Sequence, residues 1–187
     1  VATMDRLRSP GGCPWDAEQT HASLAPYLVE EAHEVVHAIS TGDRAHLAEE
    51  LGDVLLQVVF HSRVAEEAGE GAFDIDTVAG LLVDKIVRRH PHVFADGEAS
   101  TPAEVEAAWE VIKAGEKTGT GGGVYADDLL HGIPASLPGD LAAEKVLARV
   151  RRRGLTPEPD AVARLERARA GLAAAESEVR AALEGLQ

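Results

Sequence analysis

This sequence predicts an all-α fold, and three observations carry the prediction. Aromatic residues make up only 4% of the chain while Ala, Leu and Val dominate, a composition that suits close-packed helices better than a sandwich of strands. Apolar residues recur at the helical period in two long runs, near residues 24–39 and 47–62. No stretch shows the strict alternation of a convincing strand. An apolar share of 45% over 187 residues is enough for a real core in one domain, or in one domain with a small appendage.

The elements follow in chain order. "SPGGCPWD", residues 9–16, holds two Pro and two Gly-type breakers before the first long helix and reads as a loop. That helix is predicted from about Ser23 to Ile39. Leu24, Leu28, Val35 and Ile39 keep the period, with Tyr27 and Val36 beside them, and Pro26 is expected in its first turn, where a missing N–H costs little. "STGDR" breaks the chain and offers Asp43 as an N-cap. A second helix is predicted from Arg44 to about Gly69, burying one broad face of Leu47, Leu51, Val54, Leu55, Val58, Val59 and Ser62. Asp74 or Asp76 caps a third, Thr77 to about Arg89, which Pro91 stops. Thr101, Pro102 and Glu104 spell a capping box opening a fourth. These four helices suit an antiparallel bundle. "TGTGGG", residues 118–123, reads as a flexible break. A basic helix ending at Gly154 and a long Ala/Arg/Glu helix follow it.

Charge and cysteine content exclude several classes. A net charge of −14 argues against nucleic-acid binding, which needs clustered Lys and Arg. No apolar run approaches the ~20 residues of a membrane span, and no signal peptide is seen. Cys13 is the one cysteine, so no intrachain disulfide forms, and a cytoplasmic location is expected. In its loop Cys13 has no evident base partner and reads as non-catalytic. The chain opens at Val1 without a Met, which suggests a trimmed N-terminus.

The informative oddity is a set of acids inside the apolar helices. "LVEEAHEVVHAI" carries Glu30, Glu31 and Glu34, and "EELGDVLLQVVF" carries Glu50 and Asp53. On a helix, i,i+3 and i,i+4 neighbours share a face, and like charges there repel by roughly 0.2–0.5 kcal/mol per pair. If the two helices pack antiparallel, both acidic pairs meet in one small volume. Such a cluster suits Mg²⁺ or Mn²⁺, hard cations that combine carboxylates, water and phosphate oxygens. Taken singly, each acid reads equally well as part of a solvated face. Glu30-x-x-His33 and Glu34-x-x-His37 mimic half of a di-iron motif, but the second helix supplies no matching His. His33 and His37 therefore read as surface or packing residues.

At these residues the chain resembles the MazG-type nucleoside triphosphate pyrophosphohydrolases, an all-α family with an EExxE…ExxD signature. "GGCPWDAEQTHASL", "LVEEAHEV", "EELGDVLLQVVFHS", "DKIVRRHPHVFAD" and "AAWEVIKAGEK" follow in the family's order, over roughly residues 7–117. The resemblance implies a Mg²⁺-dependent hydrolase, with Mn²⁺ as a substitute. It would cleave nucleoside triphosphates between the α- and β-phosphates, giving monophosphate and pyrophosphate, as a house-cleaning enzyme of the nucleotide pool. It implies Glu31, Glu34, Glu50 and Asp53 as metal ligands, with Glu30 orienting or deprotonating the attacking water or supporting the metals from behind. Lys85, Arg88 and Arg89 resemble phosphate-contacting positions, though the same residues suit a helix C-terminus. Trp109 and Lys113 resemble a late Trp…Lys pair, for base stacking and a phosphate contact; Trp109 is equally a core aromatic. Trp15 and Tyr27 read as core. The resemblance also implies a homodimer or higher homo-oligomer.

Domain organisation follows the same reading: a MazG-like domain at 1–118, a linker at 119–140 and a helical segment at 141–187. The last resembles the opening of a second repeat in tandem MazG proteins. There "AAESEV" puts Ala174 and Ala175 where two signature glutamates belong, and only Glu178 matches. One functional site per chain is expected. Two other classes stay open: a non-catalytic nucleotide or metal sensor of the same fold, and a plain helical interaction module.

Overall fold

Local capping chemistry sets the boundaries of the helices. In this computed structural model, which describes residues 1–119, 129–130 and 132–184, the described residues hold helices and no strand. The chain divides into two compact units, Val1–Ile112 and Lys113–Gln187. The first contains α1 (Ala2–Arg8), α2 (Pro14–Glu18), α3 (His21–Thr41), α4 (Arg44–Ala65), α5 (Ile75–Arg89) and α6 (Pro91–Phe94). α7 (Pro102–Gly119) begins in the first unit and ends in the second.

The hairpin of α3 and α4 is the centre of the first unit. Thr20 Oγ1 accepts from the Ser23 N–H at 3.2 Å, and Ser23 Oγ accepts from the Thr20 N–H at 2.9 Å. This reciprocal cap starts α3 at His21. At the far end Gly42 adopts a left-handed φ of 74° and donates its N–H to the Ala38 and Ile39 carbonyls, which closes the helix. Asp43 Oδ1 then accepts from the Ala45 and His46 N–H groups at 2.9 and 3.1 Å, opening α4. Two residues thus reverse the chain, and α3 and α4 run antiparallel in close contact.

Away from that turn, Met4 of α1, Leu24 of α3 and Phe60 of α4 form a buried apolar cluster, with Val59 and Val64 against it. Arg8 ties its edge. Its guanidinium donates to both carboxylate oxygens of Glu67 (3.0 and 2.6 Å) and to the carbonyls of Asp16 and Gln19, and lies 5.7 Å from the Phe60 ring centre. Gly12 crosses so near α1 that a Cβ there would overlap the Leu7 and Arg6 carbonyl oxygens. Asp74 caps α5 through the Thr77 N–H at 2.8 Å. Glu104 and Thr101 make the reciprocal cap of α7 at 3.1 and 3.3 Å.

Several expectations need correction. α3 begins two residues earlier than the apolar period suggests, so Pro26 lies inside the helix, beyond its first turn. Pro14, Trp15 and Asp16 of the expected loop form most of α2. α4 ends at Ala65 rather than Gly69. The broad face expected to be buried on α4 is buried only in part: Ser62 is buried and Leu47, Val54 and Val59 are half-buried, but Leu51, Leu55 and Val58 are exposed, and Glu50, Gln57, Phe60 and Ala65 are the other buried positions. Trp15 and Tyr27 are not core residues either; both are exposed, in an edge-to-face pair with centres 6.1 Å apart.

The second unit contains α8 (Gly139–Arg152) and α9 (Pro159–Glu184). Gly154, with φ +66°, follows α8 where the basic helix was expected to end. Arg169 of α9 donates to the Asp140 carbonyl and to Glu144, joining the two helices. Thr118 and Gly119 of "TGTGGG" close α7. The rest of that run, and residues 120–128 and 131 of the linker expected at 119–140, lie outside the described residues.

Candidate active site

The α3–α4 hairpin pairs acids by simple counting. Glu31 and Asp53 each stand 11 residues from Gly42, and Glu34 and Glu50 each stand 8. In an antiparallel helix pair turning at Gly42, equidistant residues lie at the same height. Oxygens of Glu31, Glu50 and Asp53 accordingly converge to within 4.8 Å of one another. Glu50 is buried, at 6% exposure, while Glu31 and Asp53 are half-buried. Glu34 is exposed, and its charge reaches both Glu31 and Glu50.

Electrostatics register the crowding. Burial, then the charges of Asp53 and Glu34, a hydrogen bond with Glu34 and the charge of Glu50 hold the Glu31 carboxyl above its usual range. Burial is also the first cause of the upward shift at Glu50. Glu34 and Asp53 add to it by charge, against a lowering by His46. One oxygen of Glu50, Oε1, is 3.1 Å from His46 Nδ1. The other, Oε2, is buried with no hydrogen-bond partner. A buried carboxylate oxygen without a donor is costly, and the carboxylates of Glu31 and Asp53 beside it add repulsion. All the converging atoms are hard oxygen donors. The residues therefore fit a divalent cation.

The sequence also singled out residues outside this trio. Glu30 is exposed on α3 and is not among the converging oxygens. Lys85 and Arg88 are exposed in the later turns of α5, and Arg89 is half-buried at its end. Trp109 of α7 is half-buried, and its ring meets the His90 ring edge-on at 5.0 Å. Lys113 is half-buried and belongs to the second unit. His33 and His37 are exposed, in line with a surface reading. Sequence reasoning passed over His46, which touches Glu50, and Gln57, whose buried Oε1 also has no partner. The available signal was spacing: His46 precedes Glu50 by four residues and Gln57 follows Asp53 by four.

Residues 19–94 match the MazG nucleotide pyrophosphohydrolase domain. The chain is 48% identical over 160 residues to an uncharacterized 26.1 kDa protein in the blaB 3′ region of Streptomyces cacaoi, covering 86% of this chain and 63% of that protein. It is 47% identical over 150 residues to the nucleoside triphosphate pyrophosphohydrolase of Escherichia coli K12, covering 80% of this chain and 55% of that one. The chain thus spans less than two thirds of the length of either relative. Among solved structures, it is similar to a mazG-related protein from Thermotoga maritima. The TM-score is 0.50 at 29% identity, over 61% of this chain and 99% of that one.

Proposed function

We propose, from the match of residues 19–94 to the MazG nucleotide pyrophosphohydrolase domain, that the chain hydrolyses nucleoside and deoxynucleoside triphosphates to the monophosphate and pyrophosphate. The observation that supports this best is the convergence of Glu31, Glu50 and Asp53, with a buried oxygen of Glu50 left without a partner. A triphosphate chain is itself a cluster of negative charge, so these acids cannot bind it unaided. Glu31, Glu34, Glu50 and Asp53 would hold Mg²⁺, with Mn²⁺ as a substitute. When bound, that ion supplies charge neutralisation and a more acidic water.

The chain's own groups would do the rest. Glu30 orients the attacking water or takes its proton. Water adds its oxygen to the α-phosphorus, the bond from that phosphorus to the bridging oxygen breaks, and pyrophosphate leaves. Lys85, Arg88 and Arg89 steady the phosphates, as cationic side chains do. Trp109 stacks on the base and Lys113 reaches a phosphate. The protein works as a homodimer in the cytoplasm, cleaning the nucleotide pool, with one functional site per chain. The helical segment at 141–187, after the domain at 1–118 and the linker at 119–140, is then a degenerate half-repeat. Glu178 is its one remaining signature acid, and it lies in α9.

The test is a panel of NTPs and dNTPs incubated with Mg²⁺ or with EDTA. Monophosphate plus pyrophosphate is expected with Mg²⁺ alone. Release of orthophosphate would overturn αβ cleavage. Glu34→Gln and Asp53→Asn should lose nearly all turnover while keeping wild-type circular dichroism; unchanged turnover would remove those residues from the chemistry.

A further inference from the structure

We infer that His46 is a positioning residue for the proposed metal centre: it holds Oε1 of Glu50 so that Oε2 is the one oxygen this glutamate offers to a cation. The inference rests on the function proposed above and assigns a role to a residue outside the acidic signature.

The two oxygens of Glu50 have unlike surroundings. Oε1 is 3.1 Å from His46 Nδ1. Oε2 is buried, has no hydrogen-bond partner and belongs to a residue only 6% exposed. Nδ1 stands within ion-pair distance of Oε1, and an ionised carboxylate can only accept there. An ordinary i,i+4 surface pair would leave its carboxylate in water. Here the carboxylate is buried, and the histidine reaches Oε1 while Oε2 has no hydrogen-bond partner.

His46 is itself well placed for this. It is the third residue of α4, and its backbone N–H donates to the Asp43 cap at 3.1 Å. The His37 ring of α3 stands nearly perpendicular to its ring, with centres 6.3 Å apart. Backbone and ring are therefore both constrained before any ligand arrives. Mg²⁺ demands near-ideal octahedral geometry. A glutamate with one oxygen already committed presents a single donor in a set direction, whereas a freely turning carboxylate would have to be ordered on binding. Partners of this kind behind a ligand are typically worth about 10–100-fold in metal affinity.

The experiment measures Mn²⁺ binding to the full chain without nucleotide, by electron paramagnetic resonance of the free ion. His46→Leu keeps the bulk and removes the donor. His46→Gln keeps a donor at i,i+4 reach of a carboxylate. Wild type is expected to bind, Leu to bind about 10–100-fold more weakly, and Gln to stay within a few-fold of wild type. Equal affinity in all three proteins overturns the positioning role, and so does equal weakening in Leu and Gln. Absence of Mn²⁺ binding by wild type overturns the proposed function itself, and this inference with it. Far-UV circular dichroism and melting of both variants show whether the helices persist, and a loss of affinity that follows a loss of helix in both also overturns the role.

Discussion

Glu50 concentrates the electrostatic tension of this molecule. Its carboxyl and that of Glu31 are held above the ordinary range by burial and by neighbouring acids. A carboxyl raised in the folded state stabilises that state below its unfolded value, about 4.3 for Glu. The contribution is lost as pH rises through the folded value. Near neutrality, without metal, both carboxylates therefore oppose folding. Glu50→Gln removes one of them. In EDTA the variant should melt above wild type at pH 7, and the gap should close as pH falls toward the ordinary carboxylate range. Asp43, Glu67, Asp74 and Glu104 shift the other way, so the wild-type curve alone is a mixture and the difference between the two proteins is the measurement. Mg²⁺ should raise the melting temperature of wild type and leave the variant nearly unmoved. A variant that melts below wild type in EDTA at pH 7 would show that repulsion among these acids is not what the fold contends with.

At the scale of elements, the α3–α4 hairpin and the Arg8 clamp do different work. The hairpin register follows from chemistry within a few residues: Gly42 ends one helix, Asp43 starts the next, and equal counting then brings the acids level. Most of this was legible, because Asp43, Asp74, Thr101 and Glu104 cap with partners two or three residues away. The start of α3 was not, because its reciprocal cap uses Ser23 where the usual pattern has Glu or Gln. That displaced Pro26 into the helix. α1 is seven residues long, too short for a period to show. Arg8 joins the end of α1 to α2 and to Glu67 beyond α4, contacts up to 59 residues apart, which no local pattern announces. Its side chain is nearly buried, while Glu67 is partly exposed. Removing the guanidinium strands two carbonyls and leaves Glu67 with Arg63 as its remaining cation, and Arg8→Ala should cost about 2–3 kcal/mol. The shift of the urea midpoint measures this; a loss under about 0.5 kcal/mol, the usual size for a surface change, would mean that water replaces the clamp without penalty.

For the molecule as a whole, the notable feature is apolar surface left open on the first unit. Leu51, Leu55 and Val58 run at i, i+4 and i+7 along α4, and Val36 and Ile39 at i and i+3 along α3; Leu55 is 59% exposed. No helix among the described residues is long and apolar enough to cross a membrane, so these one-sided stripes have no bilayer-spanning explanation. Contiguous apolar surface of this kind marks a partner, and a second copy of the chain is the occupant proposed above. Leu55→Glu changes an exposed side chain, so the helices of each copy should persist. Wild type should scatter light as a dimer, and the variant as a monomer with unchanged far-UV circular dichroism. A wild type that is monomeric at micromolar concentration, or a variant that keeps the dimer mass, would remove the dimer from the proposal.

Helical class, caps, the turn at Gly42 and the five acids could be read directly from the residues, because each depends on neighbours within a turn or two of backbone. Burial could not. Which of the acids converge, that Glu30 stands outside while His46 takes one oxygen of Glu50, and that the α4 stripe stays open within one chain were settled only by the way distant surfaces meet. Desolvation belongs to the assembled surroundings of a side chain, and a residue's position along the chain does not carry that information.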